Sequence, residues 1–438
     1  MSETDVAGKL GPIRLQPGVS GAHGLALLYA AFFSVCLLAF LNFSQPYLLR
    51  VNLGVAPGDE GSLTGFLTLC QEIVVLLLVA PCGALSDRIG RRPVYVAGFV
   101  VIGIGYMACA MATSVLQLAL FRMLFAVGSA AVGSMLAVVP ADYPRETSRG
   151  KLLGAVGVCN GLGMAIVVPL LSILPARFEA AGYAPGAAGR LAFAVVLGLC
   201  LTTAIVLKFG LKPGAPGQAG GREPMLALLK RGLVAARRPT VALAYGSAFA
   251  SRGDMIVVGA FFSLWVTRAG AAQGHTEAEA LAMAGGMFVI VQVAALLWAP
   301  VMGVIVDRIS RVAGLAVAMG LAAVGYLCLG LITDPLAPMG KAAAVLLGIG
   351  QMSAIVASQT LIGQEADSAY RGSILGVYSF FGAMGLVTVS VVGGILFDVW
   401  IPAAPFVLVG ACNLVLLCWA VALMRRTASP ARGQAEQR

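Results

Sequence analysis

Four ionisable residues stand inside long apolar runs: Glu72, Arg122, Arg252 and Asp254. A charged side chain in the middle of a bilayer costs about 2.5–3.5 kcal/mol on insertion scales, so such residues are functional candidates by default. A carboxylate in low dielectric resists ionisation, and a nearby guanidinium reverses that preference. A group that alternates between the two settings loads and releases a proton. Glu72 and Asp254 are the candidate carriers. Arg122 and Arg252 are candidate modulators, or anchors for an anionic solute. Glu72 lies eleven residues before Gly83, about 16 Å of helix rise, which puts it near mid-membrane. Arg252 and Asp254 are two residues apart and do not face each other on an unbroken helix. Either each finds a partner on another helix, or Gly253 opens the helix locally. The competing reading is a charge network that only fixes helix packing.

Asn42, Gln45, Gln71, Asn160, Gln292, Gln351 and Gln359 are polar groups within the same runs and are candidates to line a cavity. For each, an interhelical hydrogen bond is an equal alternative. His23 and His275 fall at or outside the apolar runs. There is no H-E-x-x-H, no zinc spacing and no G-x-x-x-x-G-K-[ST] phosphate loop. Hydrolysis of ATP by this chain alone is therefore not expected. An embedded lipid enzyme would need a histidine or serine–base arrangement that the runs do not offer. No enzyme activity, cofactor or metal is expected.

The elements that carry these residues are read from composition. Of 438 residues, 59% are hydrophobic and 11% charged, whereas a soluble domain carries about 25% charged residues. Apolar runs of about twenty residues match a bilayer core and must close into helices there. Twelve spans are expected, at about 24–48, 62–82, 93–113, 115–139, 151–174, 189–210, 239–266, 279–302, 312–333, 341–363, 373–397 and 402–424. The first is read as a retained helix, because no small-residue cleavage site follows it. All nine cysteines fall within these spans and are read as small packing residues.

The formal charge of +10 is not a nucleic-acid signature. With the N-terminus inside, 22 Lys and Arg fall on the cytoplasmic side, five on the other side and two inside helices. This asymmetry places both termini in the cytoplasm. The expected organisation is a cytoplasmic tail at 1–23, a six-helix bundle at 24–210, a linker at 211–238, a second bundle at 239–424 and a tail at 425–438. The linker holds Lys212, Arg222, Lys230, Arg231, Arg237 and Arg238, with a short amphipathic helix conceivable from Pro224 to Ala236. Its basic residues either lie against anionic headgroups or are simply solvated. The halves repeat. Gly83-Ala84-Leu85-Ser86-Asp87-Arg88 matches Gly303-Val304-Ile305-Val306-Asp307-Arg308, and Arg149-Gly150 matches Arg371-Gly372 at nearly the same displacement along the chain. Parallel six-helix repeats are one transporter architecture, with a site near the midplane between them.

The run from Gly83 to Arg92, G-A-L-S-D-R-I-G-R-R, resembles the loop 2–3 signature of the major facilitator superfamily. Arg122, in L-F-R-M-L-F-A-V-G, resembles the family's span-four arginine motif, with Val127 where glutamine is usual. The Gly-Pro motif typical of antiporters is missing from span five, which departs from the drug–proton antiporter pattern. The resemblance covers essentially the whole chain and implies an all-α fold of twelve transmembrane helices in two pseudo-symmetric bundles. It further implies that Gly83, Asp87, Arg88, Gly90, Arg91 and Arg92, with Gly303, Asp307 and Arg308, form a cytoplasmic gate. Gly83 is expected to let span two approach a neighbour, and Asp87 to sit near the start of span eleven with arginine partners. The alternative is that these charges only orient the loop. The expected activity is secondary transport of a small organic solute by alternating access, coupled to protons, by a monomer in the inner or plasma membrane. The alternatives are an uncoupled facilitator and a transport-inactive membrane sensor.

Overall fold

The computed structural model describes residues 7–214, 230, 232–365 and 371–435. Most of the expected linker, including Arg222, Arg231 and residues 224–229 of the 224–236 segment, lies outside the described residues. Among the described residues, twelve helices are long and apolar enough to cross a membrane. They are α1 (Gly21–Asn52), α2 (Glu60–Ile89), α3 (Arg91–Ala110), α4 (Val115–Asp142), α5 (Glu146–Ala180), α6 (Pro185–Gly210), α7 (Pro239–Ala272), α8 (Glu277–Arg308), α9 (Arg311–Gly330), α10 (Pro338–Glu365), α11 (Ser373–Val399) and α12 (Ala404–Arg426). The protein is an integral, multi-pass membrane protein. Side chains set several of the starts. Ser20, Ser114 and Ser310 accept from the backbone N–H groups of His23, Gln117 and Ala313, satisfying donors that a helix start leaves open. Gly90, at φ 102°, makes the sharp turn between α2 and α3 in a conformation that side chains resist.

The chain divides into two compact units. The first comprises Met1–Pro57, Leu67–Gly221 and Gly270–Gly286; the second comprises Gly58–Phe66, Arg222–Ala269 and Met287–Arg438. Within the first, α3 packs against α4 and α6, and α1 against α5. Within the second, α9 packs against α10 and α12, and α7 against α11. The pairing is the same, so the repeat read from two sequence landmarks is a repeat of packing.

Glycines at matched positions make the closest of these crossings. Gly105 lies on Phe125 and Gly128 on Ile102; their counterparts in the repeat, Gly325 and Gly350, lie on Leu346 and Ala322. Gly163 leaves no room for a Cβ beside Phe32, nor does Gly385 beside Phe249. Close backbone approach is how membrane helices gain packing energy where lipid removes the hydrophobic drive. Gly83 and Gly303 do not belong to this set. A Cβ on either would meet nothing within 4 Å among the described residues, so the close approach expected of Gly83 is not seen among them.

The N-terminal stretch, expected as a polar tail, carries two strands. β1 (Ala7–Leu10) and β2 (Ile13–Pro17) form an antiparallel hairpin. Leu15 bridges to Pro144 in the α4–α5 connection, Gln16 N–H donates to the Tyr143 carbonyl at 2.8 Å, and Arg145 N–H donates to that of Arg14 at 2.9 Å. Ile13, Leu15 and Val19 are buried beneath it.

Candidate functional site

In the first unit the polar centre is built on Arg122. This side chain, 1% exposed on α4, donates from Nη2 to Asn42 Oδ1 on α1 and, at 2.7 Å, to Gln71 Oε1 on α2. Its Nε has no partner among the described residues. Gln71 Nε2 in turn reaches Glu72 Oε1 at 3.5 Å, and Glu72 lies within electrostatic range of the guanidinium. Three helices thus bring together four of the residues singled out in the sequence. Gln45 is fully buried with neither amide atom paired among the described residues, and Asn160 Oδ1 is likewise buried without a partner there. A buried polar group in that condition costs roughly 1–3 kcal/mol.

In the second unit the centre is Asp254. It is 0% exposed, and neither carboxylate oxygen has a hydrogen-bond partner among the described residues. The Tyr326 hydroxyl of α9 lies beside it without closing a bond of ordinary geometry. Arg252 leaves α7 on another face and is exposed, with its stem against Gly382 of α11. The two residues do not pair, as their spacing requires. Gly253 does not open the helix. It sits in regular helix against Val389, and the wider turn begins only at Val257–Phe261. Of the remaining candidates, Gln292 is half-buried, Gln351 is 8% exposed and Gln359 is exposed.

At the helix ends, Arg91 Nη1 meets Asp87 Oδ1 at 2.5 Å and Arg91 Nε meets Asp142 Oδ2 at 3.0 Å. Arg91 is therefore one of the arginine partners expected for Asp87. In the second unit the corresponding arginine, Arg311, pairs with Glu365 at 3.1 Å, and Arg238 binds the same carboxylate at 3.1 Å. Asp307 and Arg308 are exposed. Glu365 escaped notice in the sequence because it lies at the edge of an apolar run, although it nearly matches Asp142 in the repeat. Two further pairings were missed. Asp398 accepts from the backbone N–H groups of Gly61 and Ser62 at 2.9 and 2.7 Å, and Arg50 pairs with Glu277 at 2.9 Å. The partners in each pair are far apart in the sequence, so no local signal marked them.

Two repeated six-helix arrays with polar groups sealed into membrane-spanning cores are the build of a membrane transport protein. The sequence profile of the Major Facilitator Superfamily matches residues 27–387 and, overlapping, 275–438, and the chain belongs to that superfamily. It is similar to magnetosome protein MamH of Paramagnetospirillum magneticum (strain ATCC 700264 / AMB-1), with 29% identity over 89% of each chain. It is also similar to magnetosome protein MamZ of the same strain, at 28% identity over 91% of this chain and 62% of that one. Among solved structures, the nucleoside transporter NupG superposes with a TM-score of 0.71 at 13% identity, covering 92% of this chain and 98% of that one. This last likeness concerns the fold.

Proposed function

We propose that the protein is a secondary transporter that moves a small organic solute by alternating access and couples that movement to protons. The observation that carries the coupling is Asp254, an acid buried in a membrane-spanning core with no partner for either oxygen among the described residues. A carboxylate is seldom retained there unless its charge is used. Glu72, beside Arg122, is the second candidate carrier. Asn42, Gln45, Asn160 and Gln292 are candidates for the solute cavity, with Arg122 and Arg252 as modulators or anchors. Asp87 and Arg91 are proposed as the gate, with Gly83, Arg88, Gly90, Arg92, Gly303, Asp307 and Arg308 as the rest of the motif. The Lys and Arg asymmetry supports termini in the cytoplasm. The names of MamH and MamZ state no solute, so the solute is left to experiment.

Counterflow in proteoliposomes, screened with solutes that raise the melting temperature of the purified protein, tests transport. A pH gradient imposed on the same vesicles tests coupling. Accumulation driven by the gradient, and lost in both Glu72→Gln and Asp254→Asn or in one of them, is the expected result. Counterflow that ignores the gradient would instead mean an uncoupled facilitator. Solute binding without counterflow would mean a sensor.

A further inference from the structure

The residue that follows α4 has a counterpart in the second unit, and the two are tied down by different means. The Gly128 and Gly350 crossings set α4 in register with α10, and on that count Tyr143 corresponds to Glu365. The Phe32–Gly163 and Phe249–Gly385 crossings set α1 in register with α7, which matches Arg238 to Gly21 and Thr240 to His23. In the second unit, side chains tie the start of α7 to the end of α10. Arg238 donates to the Glu365 carboxylate at 3.1 Å and to its main-chain carbonyl at 3.4 Å, and the Thr240 hydroxyl donates to the same carboxylate at 2.8 Å. At the matching positions of the first unit that tie is not made. Gly21 has no side chain, and the His23 ring turns back to accept the Ser20 N–H at 3.1 Å.

The N-terminal hairpin makes it instead. The last carbonyls of a helix lack partners within it, and β2 supplies donors just past the end of α4. Gln16 N–H donates to the main-chain carbonyl of Tyr143 at 2.8 Å, and Gln16 Nε2 donates to that of Pro144 at 3.2 Å. Arg14 N–H donates to Ser148 Oγ at 3.1 Å, and the Arg14 carbonyl accepts the Arg145 N–H at 2.9 Å. On its other side the hairpin lies on the start of α1. A Cβ on Gly8 would collide with the Val19 carbonyl, one on Gly21 with the Lys9 carbonyl and one on Gly24 with the Leu10 side chain. Tyr143 is 5% exposed, and its hydroxyl accepts the main-chain N–H of Lys212, just beyond α6, at 3.1 Å. One residue thus joins the approach to α1, the α4–α5 connection and the end of α6.

We propose that the hairpin is a positioning element of the gate: through Tyr143 it holds the adjacent Asp142 where that acid takes its share of Arg91. The proposal rests on the gate reading above and adds Gln16, Asp142 and Tyr143 to it. In the second unit Glu365 serves two partners, Arg311 from the start of α9 and Arg238 from the start of α7. In the first unit neighbouring residues divide those roles. Asp142 accepts from Arg91 Nε at 3.0 Å, and Tyr143 takes the hairpin. The two ties differ in kind. Arg238 is half-exposed, so salt screens the tie in the second unit. The tie in the first unit is made of main-chain hydrogen bonds and of buried Ile13, Leu15 and Val19, which carry no charge to screen. Without this clasp the end of α4 is free to drift, and Arg91 is left to Asp87.

Hydrogen exchange of the full-length protein in lipid nanodiscs tests the clasp without needing a solute. Gln16→Pro removes the N–H that Tyr143 accepts, and Gln16→Ala keeps it. Exchange in 142–148, and through Asp142 and Arg91 in the α2–α3 turn at 86–92, should rise about fivefold in Gln16→Pro, as the loss of one hydrogen bond implies. Both segments should stay within about twofold of the wild type in Gln16→Ala. Asp142→Asn should raise exchange at 86–92 and leave 7–19 protected, which sets the acid between hairpin and turn. Leu15→Ala, a milder loosening of the buried face of β2, should move the same two segments and is the readout where Gln16→Pro fails to fold. A rise at 142–148 with 86–92 unchanged would overturn the proposal, since a hairpin that only braces its own loop would do as much. So would wild-type exchange at both segments, or loosening of 142–148 in about 1 M potassium chloride, where charges are screened beyond roughly 3 Å. Exchange that behaves as expected in a protein whose counterflow ignores Asp87→Asn would uphold the clasp and remove the gate reading.

Discussion

The first unit buries a base and the second buries an acid, and the two cores handle these charges in opposite ways. Arg122 is drawn into a net of amides from two other helices, so its charge is spread over neutral acceptors. Asp254 has the Tyr326 hydroxyl beside it, and neither of its oxygens is bonded among the described residues. Charge that is solvated by fixed dipoles is a durable part of a fold, whereas charge without such solvation depends on what it binds. The same contrast holds at the helix ends. Arg91 is shared between two acids, while on the repeat-related side Glu365 is shared between two arginines.

The largest expected effect comes from making the second core like the first. Asp254→Leu, which installs the residue that the first unit carries at Leu37 when Phe32 and Phe249 are aligned, should abolish pH-driven accumulation and leave the melting temperature at or above that of the wild type, because buried charge replaced by packed apolar groups is often neutral or stabilising. Retained accumulation would erase the proposed functional difference between the cores. The reverse change comes next. Leu37→Asp should destabilise by about 3 kcal/mol, read as a shift in thermal or denaturant unfolding, since the Tyr106 O–H is already committed to the Leu37 carbonyl and the Phe193 ring beside it offers no donor. A tolerated aspartate there would mean that either core accepts an acid.

A smaller effect should separate the two loop acids. Asp87→Asn should slow transport by about tenfold, with affinity changed by less than ~1.4 kcal/mol. Asp307→Asn, at an exposed position, should stay within about twofold. Equal rates for the two variants would remove the gating role proposed for Asp87. The smallest effect is predicted for Arg311→Ala. Its pair with Glu365 is half-exposed on the arginine side, and Arg238 remains to hold the acid. A loss of at most about 1 kcal/mol is expected in unfolding experiments.

The spans were legible because a bilayer demands long apolar runs, and Val115 and Pro239 begin their helices where the sequence suggested. The ends were less so. α5 runs from Glu146 to Ala180, beyond its apolar stretch at both ends, because a helix persists wherever its own hydrogen bonds are cheaper than uncapped ends. Asn42, Gln71 and Arg122 were each recognisable as out of place, but their mutual bonds depend on how α1, α2 and α4 meet, which no local pattern encodes. Tyr326 was missed because a tyrosine in an apolar run looks like ordinary packing. Setting the halves in register, with Gly83 on Gly303, would have paired it with Tyr106. The glycines mislead in the same way. Gly83 drew attention through its motif, whereas the close crossings are made at Gly105, Gly128 and Gly163.

The N-terminal hairpin carries an implication for how the chain is made. Leu15 of β2 finds its partner at Pro144, beyond the fourth span, and Lys212 Nζ reaches the Pro17 carbonyl at 3.4 Å. At a synthesis rate of roughly 5–20 residues per second, the hairpin waits on the order of ten seconds for its docking surface to be made. By then the polypeptide of four spans has been delivered to the insertion machinery. Closure of this small sheet therefore records that α1 to α4 have been placed with the correct ends together. A chain in which one of these four helices had failed to insert would carry the strand and its mate to opposite sides of the membrane.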